Sequence, residues 1–581
     1  MLSITSRPSR VARHTSLRGC QECAALPKTR RTGARRMSVS TTVTDPIRGT
    51  SEPDRYWTST NLGEACPDVM TPMCWSVWEG SAELGWLYSM SAFGVIPKKK
   101  VLVSPDVNDR GLSCFYGRQA LNVDAIKKIM SALPGVDGDD FERDLMGSVR
   151  ADAPKFDGTL RRVPVLMFKA PITLLRTGKR LRRMHDEMYT KWLGTVYESG
   201  SSAQWSEIPP IERLVAARED FVKIFSQHCV IRFMFQGGQS AVTGAAEQAG
   251  DSALAVELLS GVGDVNETRM ADDLWRLGQG ELTEDEFLRA WGYHGPNEGN
   301  AFTTVWRENP APIRALAAAT AQRERPADRA ARAQAAGAEA EKRLLAATPA
   351  AKRPAMRWLL RRMRNIVRTL QVGKAAYLMA IDECRWAARE FGAQQVALGA
   401  LQQVDDIFFF TIEECQQLAA GTLANPQEIV DVRRATRVEY KSMVLPLAFY
   451  GMPEPVTIEA ELGGRTVTEV TGAASGGGTV EGRARVVTDP EQEVDLDPGD
   501  ILVCRFTDPS WAPLMALSEA LVIDIGGSAS HGAVVARELG IPYVIGTENG
   551  TRAIGEGDRV LVDGANNLVK VLERADAARS A

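Results

Sequence analysis

No stretch of this 581-residue sequence approaches the ~18 consecutive apolar residues that a membrane span needs. No G-x-x-x-x-G-K-S/T loop occurs, so the chain offers no phosphate cradle of that type for a nucleotide. Basic residues are not in excess: the formal net charge is −4, and no global basic field points to nucleic acid. The nine cysteines are scattered, apart from Cys20 and Cys23. That single C-x-x-C has no second pair, which argues against a zinc site and against a disulfide framework, and leaves reduced thiols. These absences predict no metal site, no nucleic-acid partner and no membrane partner. What remains is ordinary globular composition, 44% hydrophobic and 24% charged, in a chain long enough for roughly two to four domains.

The stretch that carries chemistry is Leu521 to Gly546, LVIDIGGSASHGAVVARELGIPYVIG. Leu521–Ile525 reads as a buried strand and Gly526-Gly527 as a turn. A helix opens near Ser528–Ser530, runs through Val534, Val535 and Leu539, and stops at Gly540 with Pro542 beyond. A second apolar run, Tyr543–Ile545, follows. His531 falls in the first helical turn, where unpaired N–H groups and the positive end of the helix dipole favour an anion. Imidazole is a competent nucleophile near neutral pH, and the paired glycines let a phosphate approach the backbone. Gly526, Gly527, Ser528 and Ser530 are the positions that would hold it. A lone histidine beside a helix cap is also a common structural feature, and a strand–glycine–helix turn alone is a weak signal.

The run GGSASHGAVVARELGIPYVIG, with GEGDRVLVDG downstream, resembles the swivelling phosphohistidine domain of the PEP-utilising enzymes, the family of pyruvate phosphate dikinase, PEP synthase and rifampin phosphotransferase. The resemblance implies that His531 is transiently phosphorylated.

Toward the N-terminus, residues 1–50 are rich in Arg, Ser and Thr and nearly free of acid up to Arg36. They read as a disordered tail, as an upstream start ahead of Met37, or as an organellar targeting segment. The run WTSTNLGEACPDVMTPMCWSVWEG gathers Trp57, Trp75 and Trp78 with Asn61 and Glu64, and is similar to the opening of the family's substrate domain. Three tryptophans so placed are core anchors or the wall of an apolar substrate pocket. Residues 155–275 read as mostly helical, with a basic face at Arg176, Lys179, Arg180, Arg182 and Arg183 that is expected to be solvated. His185 and His228, within these helices, read as surface or packed residues.

Phe287–Pro310 breaks the helical pattern at His294-Gly295-Pro296-Asn297-Glu298, a turn that carries a base and a carboxylate. The family shows Gly-His-Arg-Gly-Pro-x-Glu here; this chain has Tyr293 and His294 where that pattern has His then Arg. Lys374 matches the lysine of the family's Arg-Glu-x-x-Lys segment, whose arginine is missing, with Arg368 close by. His294 and Glu298 are candidates to take an acceptor's proton, and Lys374 to neutralise phosphoryl charge. Residues 312–352 read as a helical surface or inter-helix connection, Val404–Glu414 as a strand-like run capped by Thr411, Pro453–Val470 as alternating strands, and Ser475–Gly478 as a hinge. Arg483 is a further candidate phosphate ligand.

The expected fold is multidomain, a large mainly α-helical substrate domain followed by a small α/β swivelling phosphohistidine domain. Its parts are a tail at 1–50, the substrate domain at 51–470, a Gly-rich hinge at 471–478 and the phosphohistidine domain at 479–575. The resemblance further implies an architecture like rifampin phosphotransferase or phenylphosphate synthase without the ATP-grasp domain and without the pyruvate barrel. ATP and Mg²⁺ would then bind a separate ATP-grasp subunit, with no cofactor held tightly by this chain. The implied activity is a cytoplasmic phosphotransferase that passes the phosphoryl group from His531 to a hydroxyl of a small, apolar or aromatic acceptor. The alternatives are a component of a split PEP synthase or pyruvate dikinase, and a catalytically silent binding or regulatory homologue.

Overall fold

The helix Arg353–Ala397 is the axis on which the helical part is built, as a computed structural model of the chain shows. The structure describes residues 43–575 except 61–64, 67, 132–137, 147–148, 157–160, 199–207, 252, 260–261, 264, 456–467, 488–495, 508–510 and 528–529, and at His531 it describes the backbone. Pro354 sits in the first turn of the axial helix, where its missing N–H costs nothing. Beyond it the sequence holds no proline up to Ala397, and from Ala375 to Arg385 every residue is buried. Pro210–Gln248 and Val163–Trp192 pack against this helix, and Pro72–Phe93 packs on Pro210–Gln248.

A charged knot fixes the centre. Asp382, fully buried, accepts from Arg307 Nε at 2.7 Å, Arg385 Nη1 at 2.6 Å and Trp192 Nε1 at 2.8 Å. Burial raises the cost of its charge, but the two guanidiniums win and hold its carboxyl below the usual range.

Two sheets flank the helices. The first is antiparallel in the order Leu112–Phe115, Arg118–Asn122, Tyr56–Thr58, Ala448–Tyr450. The second has eight strands in the order Glu469–Thr471, Leu568–Glu573, Arg559–Asp563, Thr479–Val487, Asp500–Cys504, Ala520–Ile523, Tyr543–Ile545, Ala474–Gly476. Four consecutive members, from Thr479–Val487 to Tyr543–Ile545, run parallel. The chain is thus mainly helical up to the first sheet's last strand and α/β beyond it.

Several expectations change. The glycine run expected to hinge at 471–478 is built into the sheet: Ala474–Gly476 pairs antiparallel with Tyr543–Ile545. Its glycine is there for packing, since a Cβ on Gly476 would lie 2.8 Å from the Tyr543 ring. The α/β part therefore begins by Glu469, ahead of the boundary drawn at 479. Val404–Phe409 is a 3₁₀-helix and not a strand, while Thr411 does cap the helix Ile412–Ala419, reciprocally with Glu414. Residues 312–352 form Ala311–Thr320 and Pro326–Ala347, and the second is no mere surface connection: Ala330, Ala340 and Leu344 are buried. Most of the alternating run Pro453–Val470, the tail at 1–42, and Asn61, Glu64 and Ser528 lie outside the described residues.

Candidate functional site

The parallel strands Asp500–Cys504, Ala520–Ile523 and Tyr543–Ile545 end on one edge, and the loops that leave them meet there. Ligands of open α/β sheets sit at this carboxyl edge because the loops there are free to specialise. Asp524 ties the loops together. It is buried and accepts from Thr547 Oγ1 at 2.7 Å, from Thr551 N–H at 3.2 Å and from the Thr551 hydroxyl. Gly526 follows at φ 148°, a backbone conformation that favours glycine.

The helix His531–Leu539 starts from this edge. Ser530 is its N-cap, with Oγ accepting from Ala533 N–H at 3.2 Å, and Gly540 closes it at φ 66°. His531 is the first helical residue, where the backbone N–H groups lack intrahelical acceptors. Gly532 lets the helix start press onto the sheet: a Cβ there would meet Ile523 Cδ1 at 2.7 Å and Thr507 Oγ1 at 2.8 Å.

A cleft of about 690 Å³ opens at this edge. One wall is Thr60, Leu145, Met146 and residues 444–448, largely apolar; the other includes Arg505, Asp524–Gly526, Gly546–Asn549, Thr551 and Arg552. An apolar wall facing a polar loop edge is the usual form of a small-molecule site.

A second constellation lies apart. His294 Nδ1 is 2.6 Å from Glu298 Oε2, both residues buried, and Lys374 Nζ stands 3.9 Å from Glu298 Oε1. His294 and Lys374 line a cavity of about 10 Å³ with Asn266, Glu267, Met270, Gln371 and Ala375. That volume holds about one water molecule. The structure thus gathers His294, Glu298 and Lys374, as the sequence suggests, but the two cavities share no lining residue.

Other candidates stand elsewhere. Arg483 donates to Asp500 at 2.9 Å and to Asp497 at 2.6 Å, at the end of the strands opposite the glycine turn, so it is no phosphate ligand there. Arg368 donates to Gly263 O at 2.8 Å and Val262 O at 2.7 Å, and does not join Lys374. Trp57, Trp75 and Trp78 are buried in hydrophobic cores and line neither of these cavities; Trp78 Nε1 donates to Gly299 O at 2.9 Å. His228 is packed between Phe225 and Tyr377, and burial, with Arg232 and Lys374 beyond, pushes its pKa down to about 3. Arg505, Asp524, Thr547, Thr551 and Arg552 were missed. The signal was available, since most stand within a few residues of the end of a parallel strand.

Comparison with known proteins finds likenesses for two segments of the chain. Residues 496–567 match the mobile domain of the PEP-utilising enzymes, and residues 283–369 match the rifampicin phosphotransferase fourth domain. These two segments are thus similar to the PEP-utilising enzymes, and among them to the rifampicin phosphotransferases. The chain is 35% identical to the rifampicin phosphotransferase of Bacillus subtilis over 178 residues, 31% of this chain and 20% of that protein. A Streptomyces rifampicin phosphotransferase is 34% identical over 220 residues, 38% of this chain and 25% of that protein. The uncharacterized phosphotransferase YvkC of Bacillus subtilis is 32% identical over 186 residues, 30% of this chain and 22% of that protein. The matched segments thus span about a fifth to a quarter of these relatives. An NMR structure of Enzyme I, at 13% identity, covers 58% of this chain and 82% of its own with a TM-score of 0.14, too slight a likeness to carry an argument. No helix among the described residues is long and apolar enough to cross a membrane.

Proposed function

We propose that the chain is a phosphotransferase component whose His531 carries a phosphoryl group from a nucleotide, bound with Mg²⁺ on a separate ATP-grasp subunit, to a hydroxyl of a small acceptor. The observation that carries the reading is the placement of His531 at the start of a helix on the carboxyl edge of the parallel sheet, just after Gly526, which lines the cleft of about 690 Å³. In the first step an imidazole nitrogen attacks the nucleotide's β-phosphorus, an N–P bond forms and the α–β bridge breaks with AMP leaving; water then takes the γ-phosphate as inorganic phosphate, so that the β-phosphoryl group stays on His531. In the second, the acceptor oxygen attacks that phosphorus, the N–P bond breaks, and the acceptor's proton goes to a base.

Leu145, Met146, Val444, Leu445 and Leu447 favour an acceptor with an apolar body, and the loop edge across the cleft favours its polar end. His294, with Glu298 beside it and Lys374 near, is the candidate base. Its one-water cavity is not part of that cleft, so the acceptor would reach this base only after the movement of the α/β part opens the cavity to it. The α/β part would swing away during the cycle, breaking the contacts that now dock it: Arg329 to Ala516 O at 3.2 Å, and Glu538 to the 262–263 backbone.

The test is incubation with ATP labelled at the β-phosphate and a candidate ATP-grasp polypeptide. An acid-labile, base-stable label that disappears in His531→Ala is expected. Label that persists in that variant refutes the assignment. No label with a partner proven to consume ATP favours the silent homologue, a reading to which the diverted Arg368 lends some support.

A further inference from the structure

We propose that the acid-free face formed by the first halves of the helices Val163–Trp192 and Arg353–Ala397 docks onto an anionic phospholipid surface. Apolar side chains scattered singly over a surface need no explanation. Here Met167, Phe168, Leu175 and Trp358 are 70%, 72%, 73% and 64% exposed. The helices that carry them are neighbours. The Arg362 guanidinium donates to Leu174 O, and Arg182 donates to Asn365 Oδ1 at 2.6 Å and to Thr369 Oγ1 at 3.0 Å, so the two helices run side by side in the same direction. Trp358, one turn before Arg362, therefore falls beside the turn between Phe168 and Leu175.

Within these two segments the charge has one sign. No acidic residue occurs between 158 and 185 or between 342 and 381. Arg176, Lys179, Arg357 and Arg361 are exposed on these two helices. Exposed Trp, Phe, Leu and Met among Arg and Lys is the composition that inserts at the headgroup level of an anionic bilayer. A second copy of the chain would bring the same positive face and be repelled. A specific protein partner normally sets its register with charges of both signs, and these segments carry only one. The expectation of no membrane partner rested on the lack of a spanning run, and a helix that lies on a bilayer needs none.

The test is flotation of the full chain with phosphatidylcholine vesicles and with vesicles of phosphatidylcholine and phosphatidylglycerol in equal parts, at low and high salt. Flotation with the anionic vesicles alone, weakened by salt, is expected. The pair Phe168→Ser with Trp358→Ser, and separately the pair Arg357→Glu with Arg361→Glu, should each lower partitioning at least about tenfold with unchanged circular dichroism. Absence from the anionic vesicles overturns the proposal, as does flotation that both pairs leave unchanged. Binding to an acidic protein that the same pairs abolish, with vesicles ignored, assigns the face to a protein and overturns it too.

Discussion

Glu538 offers the sharpest stability test, because it joins the His531 helix to the helical part through two backbone groups. Its carboxylate accepts from Val262 N–H at 3.1 Å and Gly263 N–H at 3.4 Å, while Arg368 holds the carbonyls of the same two residues. The residue is 3% exposed, and burial outweighs the N–H groups and Arg537, raising the carboxyl to about 7. A folded pKa raised above the unfolded value means the folded state holds the proton more tightly. The contribution is therefore fully present below about pH 4.5 and is lost as pH rises to about 7. From 4.5 to about 7 at ~1.4 kcal/mol per unit, the loss is about 3 kcal/mol. Glu83 is also raised to about 7 by burial and titrates in the same window, so the informative quantity is a difference between proteins. Denaturant unfolding of the wild type and Glu538→Gln at several pH values from 4.5 to 8 supplies it. The wild type should lose about 3 kcal/mol more than the variant across that range. Parallel curves for the two proteins would show that Glu538 does not titrate where its surroundings say, and that the latch contributes nothing pH-dependent.

Other consequences are equally direct. Asp382→Asn leaves Arg307 and Arg385 buried without their carboxylate and should cost about 3–5 kcal/mol in denaturant unfolding. Gly532→Ala forces a methyl group against Ile523 and Thr507, so it should cost about 1–3 kcal/mol and slow phosphorylation of the adjacent His531 in the labelled-ATP assay. Glu298→Ala removes the carboxylate from His294 and Lys374; acceptor turnover should fall while labelling of His531 persists, and loss of both would place Glu298 in the first step instead.

How much of this was legible in sequence depended on how local the cause was. The helix start near Ser530, the stop at Gly540 and the strand Tyr543–Ile545 follow from a few adjacent residues, and all appear as read. Thr411 with Glu414 is legible for the same reason. The hinge at Ser475–Gly478 failed because glycine signals freedom only where nothing packs on it, and the Tyr543 ring does so here. Arg483 failed because a strand's pattern tells which face a residue takes and not which end of the sheet it occupies. The wall of Leu145, Met146 and residues 444–448 comes from segments some 300 positions apart in the chain, and no local pattern brings them to the glycine turn.

The central claim is that the His531 imidazole carries the phosphoryl group. Mass mapping of the peptide containing His531, kept near neutral pH after exposure to ATP and the ATP-grasp partner, tests it most directly. The account predicts one phosphoryl group on His531, removed when the acceptor is added. A phosphoryl group on any other residue, or an unmodified His531 beside a partner that is turning over ATP, contradicts it.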